Sequence, residues 1–464
     1  MDKNIRICII GGGPAGLSAG MYLEKKGYEN YTILEKSDRV GGKCWSPTYE
    51  GRRYEMGAIM GVPSYYAVHD VEEFCGITHD GPKLNRNYKD ASGKVIDPFD
   101  KSLGNILKNP WLIKMKKQTK KFGEILETKY KGYDINGHRG VAEGRYEGFA
   151  CTPGREPVSG FNPNLKDLCL PFDEFCKKNG VDLIKKIWVG PYTAFGYGYF
   201  DEIPAAYVMK YLDFQTCMNF VKVNLWTWKE GTQYIWECLD AKLKNHARLN
   251  SKIEKVERKD GKVYVTVNGA VEEYDKIIVT SPLYVANKEK RSDGLVGMVD
   301  YFDTHEDEME LFSKIDYERY DVQAFTTTPE NHPEISYYVF DNMEKARLGH
   351  LMVYYRRWKD DVKQMITTYA LRKHKDTPEI PYEECRDIVR EDLKVMGNPA
   401  KEFHNEWSVY YFPHVFSEDY AAGWYDKVEA MQGKYDTYYA GEIMAFGDMD
   451  ETAEYSRELV ERFF

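Results

Sequence analysis

A glycine-rich turn between a short apolar strand and a helix is the feature that most constrains this chain. The turn reads GGGPAG from Gly11 to Gly16 and follows the β-branched run at residues 5–10, which is typical of a buried parallel strand. Gly11 permits the tight turn, Gly13 lets the backbone approach a pyrophosphate, and Gly16 lets the helix pack close to the sheet. The pattern predicts a doubly wound α/β domain that binds a dinucleotide.

Residues on either side of the turn strengthen this prediction. Pro14 and Ala15 open the predicted helix, whose N-terminal N–H groups and positive dipole end favour phosphate. Glu35 follows Gly16 by 19 residues, at the end of the next predicted strand and directly before Lys36. This is the spacing of a carboxylate that binds ribose. A lone GxGxxG motif is weak, and a glycine turn without a ligand is the alternative, but strand, turn, helix and acid in register form a specific signal.

Two further glycine elements follow in the chain. Gly42 allows a second loop to approach the phosphates, and Lys43 adds positive charge there. Gly57 and Ala58, followed by Ile59, allow backbone to lie against a flat ring system. Each element taken alone is equally compatible with an ordinary turn. After the first motif, they favour additional contacts with the same cofactor.

The arrangement of these elements favours FAD over NAD. A single GxGxxG motif is present, so reduction by a second, nicotinamide dinucleotide is not supported. The last predicted strand ends in Gly441 and Glu442, and a late loop that returns to the cofactor is typical of flavoproteins. No cysteine lies near Gly441 in the sequence, so we expect the FAD to be bound non-covalently.

Composition excludes several classes of protein. The chain has 464 residues and a net charge of −10, and we find no basic block, which argues against nucleic acid as a partner. The mean hydropathy is −0.60, and no stretch approaches the length of a membrane span. The N-terminus leads straight into the first strand, which leaves no room for a signal peptide. Nine cysteines without a CxxC pair, and ten histidines without metal-ligand spacing, predict reduced thiols, no metal and a cytoplasmic location.

The pattern of predicted elements divides the chain into three parts. We expect a discontinuous FAD-binding domain from residues 1–84, 229–288 and 430–464. Residues 85–228 lack strand–helix alternation and are predicted to form a mainly helical cap. Residues 289–429 carry several strand-like runs and are predicted to form a mixed-sheet substrate domain.

Several long strings resemble a known family. GGGPAG, DRVGGKCWS, RRYEMGAIMGVPSY and YYAGEIMAFGDMDE are similar to the flavin-containing amine oxidase superfamily. DGPKL, LPFDEF, TAFGYG, KYLDF and YYFPHV extend the resemblance, in order along nearly the whole chain, to bacterial FAD-dependent polyunsaturated fatty acid isomerases. The resemblance implies an α/β, amine-oxidase-like fold with a Rossmann-type FAD domain. The Gly/Pro-rich segment 138–164, which is predicted to be an irregular loop, and the charged segment 287–308 are longer here than in these isomerases. Because the first segment falls in the predicted cap, substrate entry or chain-length preference can differ.

The resemblance also implies a reaction and a substrate site. Such isomerases convert free linoleic acid to a conjugated diene without net oxidation, and hydride would pass from C11 to flavin N5 and return to C9, giving the trans-10,cis-12 product. The family's head-group residues correspond here to Arg86 and Phe220, while Phe195, Tyr197, Tyr192 and Trp226 are further aromatic candidates for contact with the substrate. Ile253 joins the expected cofactor contacts. Surface exposure of Arg86 and plain core packing of the aromatic residues are the alternatives.

Two other functions remain open at this point. A flavin-dependent amine oxidase would release peroxide and is the main alternative. The second alternative is a protein that binds lipid or flavin and has no catalytic activity. The substrate partitions into bilayers, so peripheral membrane contact is also possible, while the oligomeric state is unknown from the sequence.

Overall fold

The polypeptide forms two principal sheets and a set of helices that cover them. The computed structural model describes residues 1–135, 137–148, 156–286, 295–327, 336–359 and 365–464. The strands are β1 (Ile7–Ile10), β2 (Tyr31–Leu34), β3 (Thr48–Tyr49), β4 (Arg52–Arg53), β5 (Arg86–Lys89), β6 (Val95–Ile96), β7 (Arg145–Glu147), β8 (Ser159–Phe161), β9 (Ile253–Lys259), β10 (Lys262–Val267), β11 (Ala270–Tyr274), β12 (Lys276–Val279), β13 (Asp316–Thr326), β14 (Ser336–Val339), β15 (Val353–Tyr355), β16 (Met365–Leu371), β17 (Phe403–His414) and β18 (Thr437–Tyr439). The α-helices are α1 (Pro14–Lys25), α2 (Tyr66–Cys75), α3 (Leu103–Lys108), α4 (Trp111–Glu127), α5 (Phe172–Asn179), α6 (Lys185–Trp188), α7 (Ala205–Tyr211), α8 (Phe214–Val221), α9 (Thr232–Lys242), α10 (Glu306–Phe312), α11 (Tyr382–Val395), α12 (Ser417–Ala421), α13 (Trp424–Ala430) and α14 (Met449–Phe463).

The first sheet is parallel and contains the strand that precedes the glycine turn. Its order is β18-β12-β1-β2, and the register places Ile7 beside Lys276 and Tyr31. All four residues of β1 are buried, because helices cover the sheet. Strands from the start, middle and end of the chain therefore meet here, and β9–β10–β11 form a small antiparallel sheet beside them.

The second sheet is mixed and has the order β17-β13-β16-β15-β14-β5-β6. Its long strands β13 and β17 pair antiparallel, with Tyr320 opposite Val409. From the sequence we expect residues 85–96 in a helical region, whereas β5 pairs in parallel with β14 and places Arg86 beside Ser336. Short strands such as β5 carry too few alternating positions to be recognised by periodicity alone.

The described part of the predicted cap, residues 85–228, contains the helices α3 to α8 and also the short strands β5 to β8. The predicted irregular loop at 138–164 contains an antiparallel pair, β7 with β8, and residues 149–155 of it lie outside the described part of the chain. Of the charged segment 287–308, residues 287–294 also lie outside it. Within the described residues, no helix is long and apolar enough to cross a membrane.

Candidate functional site

A cavity of about 940 Å³ runs from the glycine turn to an aromatic region on the mixed sheet. It brings together residues from the first 60 positions of the chain, from β13 and β17, and from the segment before α14. Sixteen of the predicted site residues line it: Gly11, Gly13, Pro14, Ala15, Glu35, Lys36, Gly42, Lys43, Gly57, Ala58, Ile59, Phe195, Tyr197, Ile253, Gly441 and Glu442.

At one end of the cavity, helix α1 presents its N-terminus. The N-cap residue is Gly13, which has no side chain to accept a hydrogen bond from the helix. The first N–H groups of the helix are therefore not capped by this residue. Gly16 does not line the cavity but is required by packing: a Cβ atom built on it would lie 1.9 Å from the carbonyl oxygen of Gly11. Only glycine therefore allows the turn and the helix to adopt this arrangement.

Glu35 closes the same end from the tip of β2. Its carboxylate accepts hydrogen bonds from the backbone N–H of Gly12 at 2.7 Å and of Ser37 at 2.8 Å. The side chain is buried, yet it lines the cavity. Two backbone donors thus fix the carboxylate at the position that the sequence spacing predicts for a ribose contact.

The two later glycine elements approach this end closely. A Cβ on Gly42 would lie 3.1 Å from the Cα of Gly13, and a Cβ on Gly57 would lie 1.8 Å from the carbonyl oxygen of Lys43. Lys43 Nζ lies 2.5 Å from a carboxylate oxygen of Glu442. This ion pair joins the second glycine element to the C-terminal one across the cavity wall.

The other end of the cavity is built from aromatic rings. Tyr197 packs against Tyr211 and Tyr411, with ring centroids 4.9 and 5.3 Å apart. Gly196 has a φ of +89°, and a Cβ on it would lie 2.7 Å from the ring of Tyr320, so glycine is needed where the chain crosses this ring. Burial raises the pKa of the Tyr197, Tyr211 and Tyr320 hydroxyls well above their usual range.

Asp448 is a carboxyl group in the wall of this aromatic end. It caps helix α14, since one of its oxygens accepts the N–H of Glu451 at 2.7 Å. The other oxygen is buried without a hydrogen-bond partner. Burial, reinforced by the negative charge of Glu451, raises the pKa of Asp448 to about 8. The group is therefore largely protonated at neutral pH, and this end of the cavity carries no anion at that position.

Arg86 and Phe220 do not line the cavity: Phe220 contacts the lining residue Phe195, whereas Tyr338 and Phe195 both lie between Arg86 and the cavity. Arg86 sits over the rings of Tyr88 and Tyr338 at 5.6 and 5.9 Å, and it donates to the carbonyl oxygen of Val221 at 3.4 Å. Phe220 is buried against the cavity-lining Phe195, with ring centroids 6.0 Å apart. Tyr338 contacts the same phenylalanine at 6.2 Å.

The aromatic candidates Tyr192 and Trp226 also lie outside the cavity lining. Tyr192 is fully buried and packs behind Tyr197 at 5.4 Å. Trp226 stacks on His79, with ring centroids 3.8 Å apart. The position of Tyr192 agrees with core packing, whereas Trp226 is half-buried beside a partly exposed histidine.

Comparison with known proteins identifies the family. The description "flavin containing amine oxidoreductase" matches residues 14–439. The chain belongs to this family.

This chain is 46% identical to a CLA-producing fatty acid isomerase from P. acnes. The crystal structure of that isomerase matches this structure over 100% of both chains, with a TM-score of 0.88. Wild-type putrescine oxidase bound to putrescine shares 14% identity over 99% of this chain and 98% of its own, with a TM-score of 0.69, and so shows the fold alone. A polyenoic fatty acid isomerase of Ptilota filicina is 24% identical over 221 residues. That match spans 45% of this chain and 41% of the relative, less than half of its length. The resemblance to fatty acid isomerases of the amine oxidase superfamily, and the amine-oxidase-like α/β fold, are thereby confirmed.

Membership in the amine oxidoreductase family implies a flavin cofactor, and the cavity suits one. The uncapped helix N-terminus fits a pyrophosphate, the buried carboxylate of Glu35 fits a ribose, and the Gly57 element leaves backbone open along the cavity. Gly13, Glu35 and Gly57 line the same cavity.

Much of the aromatic end was missed from the sequence. Its unpredicted lining includes Tyr65, Tyr211, Tyr320, Tyr369, Trp407, Tyr411 and Asp448. On β13, Tyr320 and Val322 line the cavity two residues apart, whereas on β17 the five consecutive residues 407–411 all line it. A period of two could therefore have identified the cavity-facing positions of β13 only, because the lining residues of β17 do not alternate.

Proposed function

We propose that this flavoprotein isomerises a free polyunsaturated fatty acid, such as linoleic acid, to a conjugated diene. One double bond would move through transfer of a hydride from C11 to C9, giving the trans-10,cis-12 product without net oxidation. The observation that carries the proposal is one cavity whose lining runs from the glycine turn to a cluster of aromatic rings. The full-length similarity to a fatty acid isomerase from P. acnes supports it.

The cofactor in this proposal is FAD, held without a covalent bond. When bound, the flavin supplies the group that accepts the hydride and returns it. Gly13, Glu35 and Lys43 would hold its phosphates and ribose. Cys44 lines the cavity, but burial raises the pKa of its thiol to about 12, and the Trp236 indole N–H donates to its sulfur at 3.2 Å. A neutral thiol is a poor nucleophile, which favours non-covalent binding.

The aromatic chamber would hold the unsaturated part of the chain. Its tyrosines remain neutral because burial raises the pKa of their hydroxyls, and the Asp448 carboxyl is largely protonated at pH 7. An apolar acyl chain enters such a chamber without leaving a charge desolvated. Aromatic faces also favour a carbon chain that becomes electron-deficient during hydride transfer. The chain's own residues thus position the substrate and exclude water.

Arg86 would bind the carboxylate head group. Within the described residues it has no carboxylate partner at ion-pair distance, while its guanidinium lies over Tyr338 at 5.9 Å. Tyr338 contacts Phe195 at the cavity wall. Two rings, Tyr338 and Phe195, therefore separate the arginine from the chamber, and Phe220 packs against Phe195 at 6.0 Å. Residues 85–89 and 214–221 would form the mouth of the substrate channel.

The experiment uses linoleic acid in which both hydrogen atoms on C11 are replaced by deuterium. The purified flavoprotein is mixed with this substrate, and the product is analysed by mass spectrometry of its double-bond cleavage fragments. The proposal predicts a trans-10,cis-12 diene with one deuterium retained at C11 and the other at C9. A conjugated product with a solvent proton at C9 would contradict internal hydride transfer. Peroxide formation from amines, with no diene, would instead favour the amine oxidase alternative.

A further inference from the structure

The solvent-facing side of helices α3 and α4 carries a block of positive charge. Residues 101–121, here called the α3–α4 surface, contain seven lysines and no aspartate or glutamate, on a chain with a net charge of −10. The lysines are Lys101, Lys108, Lys114, Lys116, Lys117, Lys120 and Lys121, and all are exposed. Among the described residues, one of these lysines forms an ion pair: Lys120 lies 3.5 Å from Glu124. The expectation of a chain without a basic block is therefore wrong for this segment.

Large aliphatic side chains project from the same surface. Leu103 and Leu107 are each 74% exposed, and Ile113 is 57% exposed. Helix α3 buries none of its residues, so its leucines contribute little to the folded core. Exposed aliphatic side chains grouped on one surface are typical of an interaction site.

From these two features we propose that the α3–α4 surface binds the face of a lipid bilayer that contains anionic lipids. Lysines attract the negative headgroups, and leucine or isoleucine side chains insert at the boundary of the acyl chains. The protein's overall charge of −10 would oppose such binding, which makes the local concentration of lysines necessary. Nucleic acid is disfavoured as the partner because the three aliphatic side chains have no counterpart along a phosphate backbone.

The surface adjoins the proposed mouth of the substrate channel. A Cβ built on Gly123 of α4 would lie 3.4 Å from the ring of Phe214, the first residue of α8. The last residue of α8, Val221, accepts the hydrogen bond from Arg86. Helix α4 therefore contacts the start of α8, the helix whose other end bonds to Arg86. Delivery of substrate from the bilayer rests on the proposed function, whereas bilayer binding itself does not.

The test is co-sedimentation of the intact flavoprotein with vesicles, without added fatty acid. Vesicles of phosphatidylcholine alone are compared with vesicles that also contain phosphatidylglycerol. We expect binding to the anionic vesicles that weakens as salt is raised, and little binding to the neutral ones. No binding to anionic vesicles at low salt would overturn the proposal, as would binding to duplex DNA but not to vesicles. Since no turnover is measured, the result is independent of the proposed isomerase activity.

Paired variants separate charge from insertion. Lys114→Gln, Lys117→Gln and Lys121→Gln together should weaken partitioning about 100-fold, at about 1 kcal/mol for each surface lysine. Replacing three exposed lysines elsewhere by glutamine provides the control with the same charge change: Lys259, Lys401 and Lys427. An equal loss in both triple variants would show a general charge effect and overturn the assignment of the surface.

The aliphatic pair has its own control. Leu103→Ser with Leu107→Ser should weaken partitioning about tenfold or more through the loss of inserted apolar area. Val271→Ser with Val395→Ser changes two valines that are 67% and 52% exposed elsewhere on the molecule, and it should bind as the unmodified protein does. Unchanged binding of the leucine variant would contradict insertion at this site.

Discussion

The two ends of the cavity are built in different ways. The nucleotide end depends on backbone: a Cβ on Gly16 or Gly57 would lie within 2 Å of a carbonyl oxygen, at 1.9 and 1.8 Å. The aromatic end depends on side chains from distant segments, such as Tyr197 and Tyr411, whose rings lie 5.3 Å apart. Substitution at the first end should therefore abolish cofactor binding, whereas substitution at the second should change which molecule is accepted.

The largest effect is expected for Gly16→Val. The new side chain would overlap the carbonyl oxygen of Gly11, so the turn and helix α1 could not keep their present contact. We predict a protein purified with almost no flavin, as measured by the ratio of flavin to protein absorbance. Gly104→Ala is the control, because a Cβ there meets nothing within 4 Å. A fully loaded Gly16→Val protein would contradict the account of this end.

Glu35→Ala should have the next largest effect. It removes the acceptor for the N–H groups of Gly12 and Ser37 and the proposed ribose contact. Hydrogen bonds to a charged group contribute about 1.5–3 kcal/mol each, so we expect flavin to dissociate at least about tenfold more readily. Titration of the flavin-free protein with FAD measures this. A dissociation constant equal to that of the unmodified protein would exclude the contact.

Arg86→Ala tests the opposite end. Loss of one charge-assisted contact should raise the KM for linoleate about tenfold, while the flavin content stays unchanged because Arg86 lies outside the cavity. Lys83→Ala removes an exposed cation from the same segment and should leave the KM as it is. Identical kinetics of the Arg86 variant and the unmodified protein would show that the head group binds elsewhere.

Asp448→Asn should give the smallest effect, visible as a dependence of stability on pH. Burial raises the pKa of Asp448 from 3.8 to about 8. Between these values the folded protein keeps a proton that the unfolded chain releases, so the free energy of unfolding falls as pH rises. The variant lacks this fall and keeps a good N-cap residue. The difference in Tm between the variant and the unmodified flavoprotein should therefore grow by a few degrees in favour of the variant from pH 5 to 8. A difference in Tm that does not vary with pH would contradict the protonated state of Asp448.

Gly11, Gly13 and Glu35 line the cavity, and their proximity could be predicted because they lie at local spacing in one strand–turn–helix–strand unit; their contact with a nucleotide stays a prediction. The aromatic end was predicted only through Phe195 and Tyr197. Three of the members that were missed, Tyr320, Trp407 and Tyr411, come from strands β13 and β17, and their positions depend on a register that shifts at two points between these strands. No local pattern encodes such a shift. The place of β5 in the mixed sheet was missed for the same reason, since its partner β14 lies about 250 residues away.

Anaerobic mixing of the flavoprotein with linoleic acid tests most directly the proposal that one cavity holds both a flavin and an acyl chain. Flavin absorbance and conjugated-diene absorbance are followed together after the flavoprotein and the acid are combined. The account predicts that diene accumulates through many turnovers while the flavin is oxidised at the end of the reaction. Lasting bleaching of the flavin without diene would contradict it, because the hydride would then leave the substrate without returning.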